Sequence, residues 1–217
     1  VLDHIKTTLN TESTLILQAP PGAGKSTVVP ISLLNESWLE NKIIIMLEPR
    51  RVAARMVAVQ MAKLLGEEVG QSVGYQVKME SCYSKQTKLL VVTEAILVRK
   101  LQSDQALEDV AMVIFDEFHE RSIHTDLSLA LCLQVQELLR DDLKLLIMSA
   151  TLDSNELTNL LGKIPVINSK GKIYDVENIY LETNIKQPDI KSINTLLLNI
   201  TLKAIKEDEG DILVFLA

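Results

Sequence analysis

Val110-Ala111-Met112-Val113-Ile114-Phe115-Asp116-Glu117-Phe118-His119 is a run of six apolar residues that halts at two adjacent carboxylates. A short, unbroken apolar run reads as a strand buried on both faces, the mark of a parallel sheet. Its end then delivers charge to the edge of that sheet. Alone, the acidic pair is equally compatible with a solvated, salt-bridged turn.

The same pattern repeats on either side. Leu15-Ile16-Leu17 leads into a Gly-rich stretch, and the chain from Lys25 onward reads as a helix. The run 43–47 is the next strand, followed by a helix over 51–65 with Ala53, Val57, Met61 and Leu64 on one face. Residues 88–93 and 94–101 form another strand and helix. After the opening run, Leu127, Leu131, Val135 and Leu138 mark a helix with Asp126 as its N-cap. Residues 145–148 and 154–161 close the series. Strands alternating with helices predict an α/β fold with a mostly parallel sheet covered by helices on both faces.

The pattern changes after Ile167. Residues 168–172 and 183–189, the latter with Pro188, read as polar connections around a strand at 176–181. Ile193, Leu197, Ile200 and Ala204 then predict an amphipathic helix. A turn at 207–210 leads to a strand at 212–216. A last strand with no helix to cover it suggests a second domain cut off as it begins.

Composition narrows the function classes. With 47% hydrophobic and 24% charged residues the chain is globular rather than disordered or fibrous. Only 4% of residues are aromatic, which argues against nucleic-acid binding on a stacking platform. Cys82 and Cys132 have no CxxC partner and are expected as free thiols in a reducing, cytoplasmic compartment. No apolar stretch approaches the ~20 residues of a membrane span, so no membrane partner is expected. No signal peptide is visible, and the chain starts at Val1. The net charge of −7 falls wholly in the second half. A local basic patch for nucleic acid therefore remains open.

The chemistry starts with Ala19-Pro20-Pro21-Gly22-Ala23-Gly24-Lys25-Ser26, a phosphate-binding loop with Ala19 where the strict form has Gly. Gly22, Ala23, Gly24, Lys25, Ser26 and Thr27 form the expected nucleotide-binding set. Successive amides face the phosphates, Lys25 supplies a point charge, and Ser26 offers a hydroxyl to Mg²⁺. Ser26, Asp116 and Glu117 are the metal candidates, with Glu117 also placed to orient or deprotonate an attacking water. Lys25, Asp116, Glu117 and His119 make up the catalytic candidates. His119 reads from chemistry alone either as a functional group or as a hydrogen-bonded structural one. Ser149 and Thr151 read either as partners of the carboxylates or as a helix cap. Arg50 and Arg51, after a strand, suit phosphate through their forked donors, or form a solvated charged face. Thr93 ends its own strand in the same way and says little by itself.

Ala19–Ser26, LEPRRVAAR at 47–55, VTEAIL at 92–97, DEFHERSIHTD at 116–126 and Ser149-Ala150-Thr151 together resemble the ordered motifs of DEAH-type superfamily 2 helicases. The Phe of DEFH, the APPGAGKS loop and LEPRRVAAR resemble the bacterial HrpB-type branch most. The resemblance covers nearly the whole chain. It implies a RecA-like three-layer domain over 1–167, with 168–217 as connector and truncated start of a second RecA-like domain. It implies that Lys25, Ser26, Asp116 and Glu117 handle ATP and Mg²⁺. It also implies that Arg50, Arg51, Thr93 and Arg121 contact a single strand, with Glu120 and the loop 122–126 near the inter-domain cleft. His119, Ser149 and Thr151 would couple nucleotide state to domain movement. Partners are then single-stranded RNA and the remaining helicase domains of the same chain. The residue chemistry leaves DNA open. Lys172 stands where relatives often have Arg. The arginine finger would lie in the second domain, so this chain alone is expected to hydrolyse ATP weakly. The rival classes are a non-enzymatic, nucleotide-switched binding module and an ATPase acting on protein or transport substrates.

Overall fold

A computed structural model describes residues 1–150, 162–170, 176–180, 190–207 and 209–215. The helix expected at 154–161, the connection at 183–189, Thr151 and Lys172 lie outside these residues. By its packing the chain divides into two compact units, residues 1–173 and 174–217. The boundary expected after residue 167 falls within the last strand of the first unit.

That first unit holds one sheet built from β1 (Thr14–Gln18), β2 (Ile43–Leu47), β3 (Val73–Val77), β4 (Glu80–Cys82), β5 (Leu89–Val92), β6 (Val110–Phe115), β7 (Lys144–Ser149) and β8 (Val166–Asn168). Their order is β4-β3-β5-β2-β6-β7-β1-β8. Every neighbouring pair is parallel except β3 with β4, which is antiparallel. Side chains of successive strand residues point to opposite faces, so each central strand feeds two cores. Leu15, Leu17, Ile44 and Met46 pack beneath α1 (Leu2–Thr11), α2 (Val28–Ser32) and α3 (Arg51–Leu64). Ile16, Ile45, Leu47 and Phe115 pack beneath α4 (Glu94–Ser103) and α5 (Ile123–Leu138). The expected α/β architecture is thus present, with helices on both faces.

Several local expectations are corrected. The inward face of α3 is Ala54, Ala58, Met61 and Ala62, while Val52, Met56 and Leu64 are exposed. Of the expected stripe, Met61 is buried, Ala53 and Val57 are half-buried at its edge, and Leu64 is exposed. Alanines allow the helix to lie close on the sheet. In α5 the N-cap is Ser122, whose hydroxyl accepts the Thr125 amide, and Asp126 instead pairs with Arg121. The expected loop 122–126 is therefore the start of this helix. No helix begins at Lys25; the Thr27 and Val28 amides both donate to Gly24 O, and α2 starts at Val28. The helix α1 and the β3–β4 hairpin carried no expectation.

In the second unit α6 (Ile190–Glu207) is the predicted amphipathic helix. Thr201 Oγ1 donates to Leu197 O at 2.7 Å, and Lys203 pairs with Glu207 at 3.7 Å along its surface. The strands expected at 176–181 and 212–216 are not found among the described residues 176–180 and 211–215. Val176, Ile179, Leu213 and Phe215 are exposed there. An apolar run becomes a strand only when a neighbour takes up its backbone hydrogen bonds. Among the described residues, no helix is long and apolar enough to cross a membrane.

Candidate active site

The central strands end on one row. Leu47 pairs with Val92 on one side and Phe115 on the other, so Thr93, Glu48 and Asp116 follow side by side. The Glu48 amide donates to Val92 O at 2.9 Å and the Asp116 amide to Leu47 O at 3.1 Å. Across β7, Ser149 pairs with Gln18 of β1, and the Ala19 amide donates to Ser149 O at 3.0 Å. Parallel pairing thus brings the Gly-rich loop and the carboxylates to the same edge, the usual binding edge of an open α/β sheet.

Within that loop Gly22 and Gly24 both have left-handed φ, +77° and +78°. A Cβ on Gly24 would lie 3.1 Å from Val28 Cγ2, so the loop also needs the missing side chain there. Lys25 is 4% exposed, pairs with Glu117 Oε1, and lies 3.8 Å from Asp116 Oδ1. Glu117 is itself left-handed, at φ +48°, which turns it away from the strand line. Its amide donates to Asp116 Oδ1 at 2.8 Å.

Burial raises the Asp116 carboxyl above its ordinary range, opposed by the Lys25 charge and the Ser26 hydroxyl. Its Oδ2 is buried and has no hydrogen-bond partner among the described residues. The neighbour Glu48 carried no expectation, yet it is buried at the same edge. Burial, and then the Asp116 charge, push its carboxyl up to about 8. Glu48 could have been found by the signal that finds Asp116, a charge directly after an unbroken apolar strand.

His119 Nδ1 lies 3.3 Å from Glu117 Oε2 and accepts the Ala150 amide at 3.4 Å. One nitrogen cannot donate to Glu117 and accept from Ala150 at once. His119 therefore stands between the carboxylate pair and the segment that follows β7. Ser149 Oγ is buried and bonds no partner among the described residues.

The expected single-strand contacts flank this centre. Arg50 pairs with Glu120 at 3.0 Å, which joins the start of α3 to the turn after the acidic pair. Arg51 is drawn elsewhere and donates to Lys78 O of the β3–β4 turn at 2.9 Å. Arg121 makes two bonds to Asp126, at 3.0 and 2.9 Å, and sits 5.4 Å above the Phe118 ring. Thr93 is the N-cap residue of α4 and is buried. The structure thus gathers Lys25, Asp116, Glu117 and His119 and leaves the arginines on the rim.

A family model described as DEAD/DEAH box helicase matches residues 3–160. The chain is 45% identical over 216 residues to the ATP-dependent RNA helicase HrpB of Escherichia coli (strain K12), covering 100% of this chain and 26% of that protein. It is 32% identical to the ATP-dependent RNA helicase HrpA of Borreliella burgdorferi, covering 99% of this chain and 26% of that protein. A crystal structure of the Escherichia coli DEAH/RHA helicase HrpB superposes with a TM-score of 0.85 at 45% identity, over 97% of this chain and 26% of that one. The chain spans about a quarter of the length of these relatives.

Proposed function

This chain belongs to the DEAD/DEAH box helicase family, and from that membership we infer that it is the nucleotide-binding part of an ATP-dependent RNA helicase. The observation that carries the reading is the closure of Lys25 on Glu117 and Asp116 beneath the Gly22–Gly24 turn. A cation held against two acids in a Gly-rich loop suits phosphate and a hydrolytic water. The loop amides of residues 22–27 and Lys25 would bind the phosphates of ATP. Glu117 would orient the attacking water, and His119 would pass the state of that carboxylate toward Ala150 and the residues after it.

The residues fit Mg²⁺. Asp116 Oδ2 is an orphaned buried oxygen, and the Ser26 hydroxyl lies on the same carboxylate. Few protein ligands suit this ion, which keeps waters and takes oxygens from phosphates. Ser26 and Asp116 would hold it, with Glu117 adjacent. When bound, the ion neutralises charge on the phosphate oxygens.

Arg50, Arg51, Thr93 and Arg121 would contact the backbone of a single RNA strand. Arg50 would do so after exchanging Glu120 for a phosphate. We read residues 168–217 as the connector and opening of a second RecA-like domain, which with the remaining helicase domains would complete the groove. A cytoplasmic setting agrees with two free cysteines.

The test is ATP hydrolysis by the full-length protein with and without single-stranded RNA. Stimulation by RNA, and not by a protein or membrane fraction, is the expected result. Turnover indifferent to RNA would move the reading to an ATPase with another substrate. Nucleotide binding without turnover would make it a switch.

A further inference from the structure

One hydrogen-bonded cluster has no part in the chemistry above. Glu94, in the first turn of α4, accepts two hydroxyl bonds on Oε1: from Ser122 Oγ at 2.6 Å and from Thr125 Oγ1 at 2.5 Å. Ser122 Oγ also accepts the Thr125 amide at 3.0 Å and so caps α5. Thr125 is buried, so the cluster is no solvated surface contact. Hydroxyl-to-carboxylate bonds of this length are about twice as strong as neutral ones.

The cluster joins two helix starts that carry candidate strand contacts. Thr93 directly precedes Glu94, and Arg121 directly precedes Ser122. Holding Ser122 and Thr125 on Glu94 therefore fixes the separation of Thr93 from Arg121. Within the segment itself, Arg121 bonds Asp126 and lies over Phe118. The Glu94 bonds tie its start to α4.

We propose that Glu94 is a positioning residue for the single-strand surface, setting the spacing of Thr93 and Arg121 through Ser122 and Thr125. This inference rests on the nucleic-acid reading above. A carboxylate beside a polyanion gives the idea a sign. If charge were its only effect, removing Glu94 would tighten RNA binding by relieving repulsion. If it positions the surface, removing it weakens binding.

The experiment uses the full-length protein, a fluorescent single-stranded oligoribonucleotide and a non-hydrolysable ATP analogue. Thr125→Val deletes one bond without changing charge, Glu94→Ala deletes both, and Glu94→Gln keeps an acceptor oxygen. We expect Thr125→Val and Glu94→Ala to weaken RNA affinity about tenfold, the scale of one lost hydrogen bond. The RNA concentration for half-maximal ATPase stimulation should rise by the same factor, with analogue affinity unchanged and Glu94→Gln close to wild type. Unchanged or tighter RNA binding in Thr125→Val and Glu94→Ala overturns the proposal, as does a Glu94→Gln variant no better than Glu94→Ala. Ser122→Ala replaces any variant that loses analogue binding, and it is read in the same way. Failure of the wild-type protein to bind RNA overturns the functional reading instead.

Discussion

Lys25 is ion-paired to Glu117, so the cation suited to phosphate and the carboxylate suited to water neutralise each other in the free site. On the proposed reading, ATP would draw Lys25 off Glu117 as it binds, and that exchange would release the carboxylate for its water.

Glu117→Gln removes the charge that competes for Lys25. ATP-analogue affinity should therefore hold or rise, while turnover falls by at least ~100-fold, the usual scale for losing a general base. Lys25→Ala should lose analogue binding. Isothermal titration alongside steady-state ATPase assays separates the two effects, and retained turnover in Glu117→Gln would remove that residue from its role.

Arg50 and Arg51 stand at the same helix start but bond differently, one to Glu120 and one to Lys78 O. If both reach phosphates, replacing both with alanine weakens RNA binding in the full-length protein. The slope of log K against log salt should fall by roughly 1.4, about 0.7 for each phosphate on a single strand. Unchanged RNA affinity with intact ATPase would assign the strand surface elsewhere.

Asp142 offers a pH dependence away from the site. Arg140 bonds both of its oxygens, at 2.6 and 2.7 Å, and Lys42 adds a bond at 3.0 Å. Chiefly through the Arg140 bonds, its carboxyl is held well below the usual carboxylate range. A depressed folded-state pKa gives stability that is present above the unfolded value near ~4 and lost as pH falls below it. Because the Asp142 side chain is half-exposed, screening limits the effect to about 0.5–1 kcal/mol. Asp142→Asn should lower the urea stability by that amount at pH 7, with the gap closing below pH 4. A gap constant from pH 5 to pH 2 would contradict the assignment.

Cys132 is fully buried and burial pushes its thiol up to about 12, whereas Cys82 is half-buried with its Sγ 3.3 Å from Val69 O. Since the thiolate is the reactive form, Cys132 should resist alkylation in the native protein and Cys82 should react. Intact mass after iodoacetamide is expected to show one addition natively and two in denaturant.

Among the described residues, Lys25 and His119 are the only basic side chains paired with the acidic couple. An arginine supplied from another domain typically adds ~10³–10⁵ in rate. The 217-residue chain should therefore bind ATP yet turn it over slowly, with little response to RNA. Robust RNA-stimulated hydrolysis by this chain alone would show that the site needs no outside cation.

Part of the site is legible in the sequence because some of its residues directly follow a buried strand. Asp116 after 110–115 and Thr93 after 89–92 fall where the unbroken apolar runs stop. Glu48 obeys the same rule and passes unread because LEPRR draws attention to its arginines. Long-range pairing is harder to read. Nothing local in Glu94 announces Ser122 and Thr125, which lie 28 and 31 residues away. The α3 stripe is only partly right for a different reason: Met61 is buried as expected, but the small Ala54, Ala58 and Ala62 lie on the sheet and Leu64 does not.

The shared row of strand ends has a consequence for how this chain can change length. β6 has one residue more than its neighbour β2, and the pairing absorbs Ala111 at a shift between Ile43 and Ile44. Both strands still finish together at Leu47 and Phe115. Deleting one residue from either strand would pull its end back by about 3.3 Å and turn the following carboxylate to the opposite face. Insertions and deletions are therefore barred from these strands. The chemistry of the site is stored in how many residues each strand contains as well as in which ones.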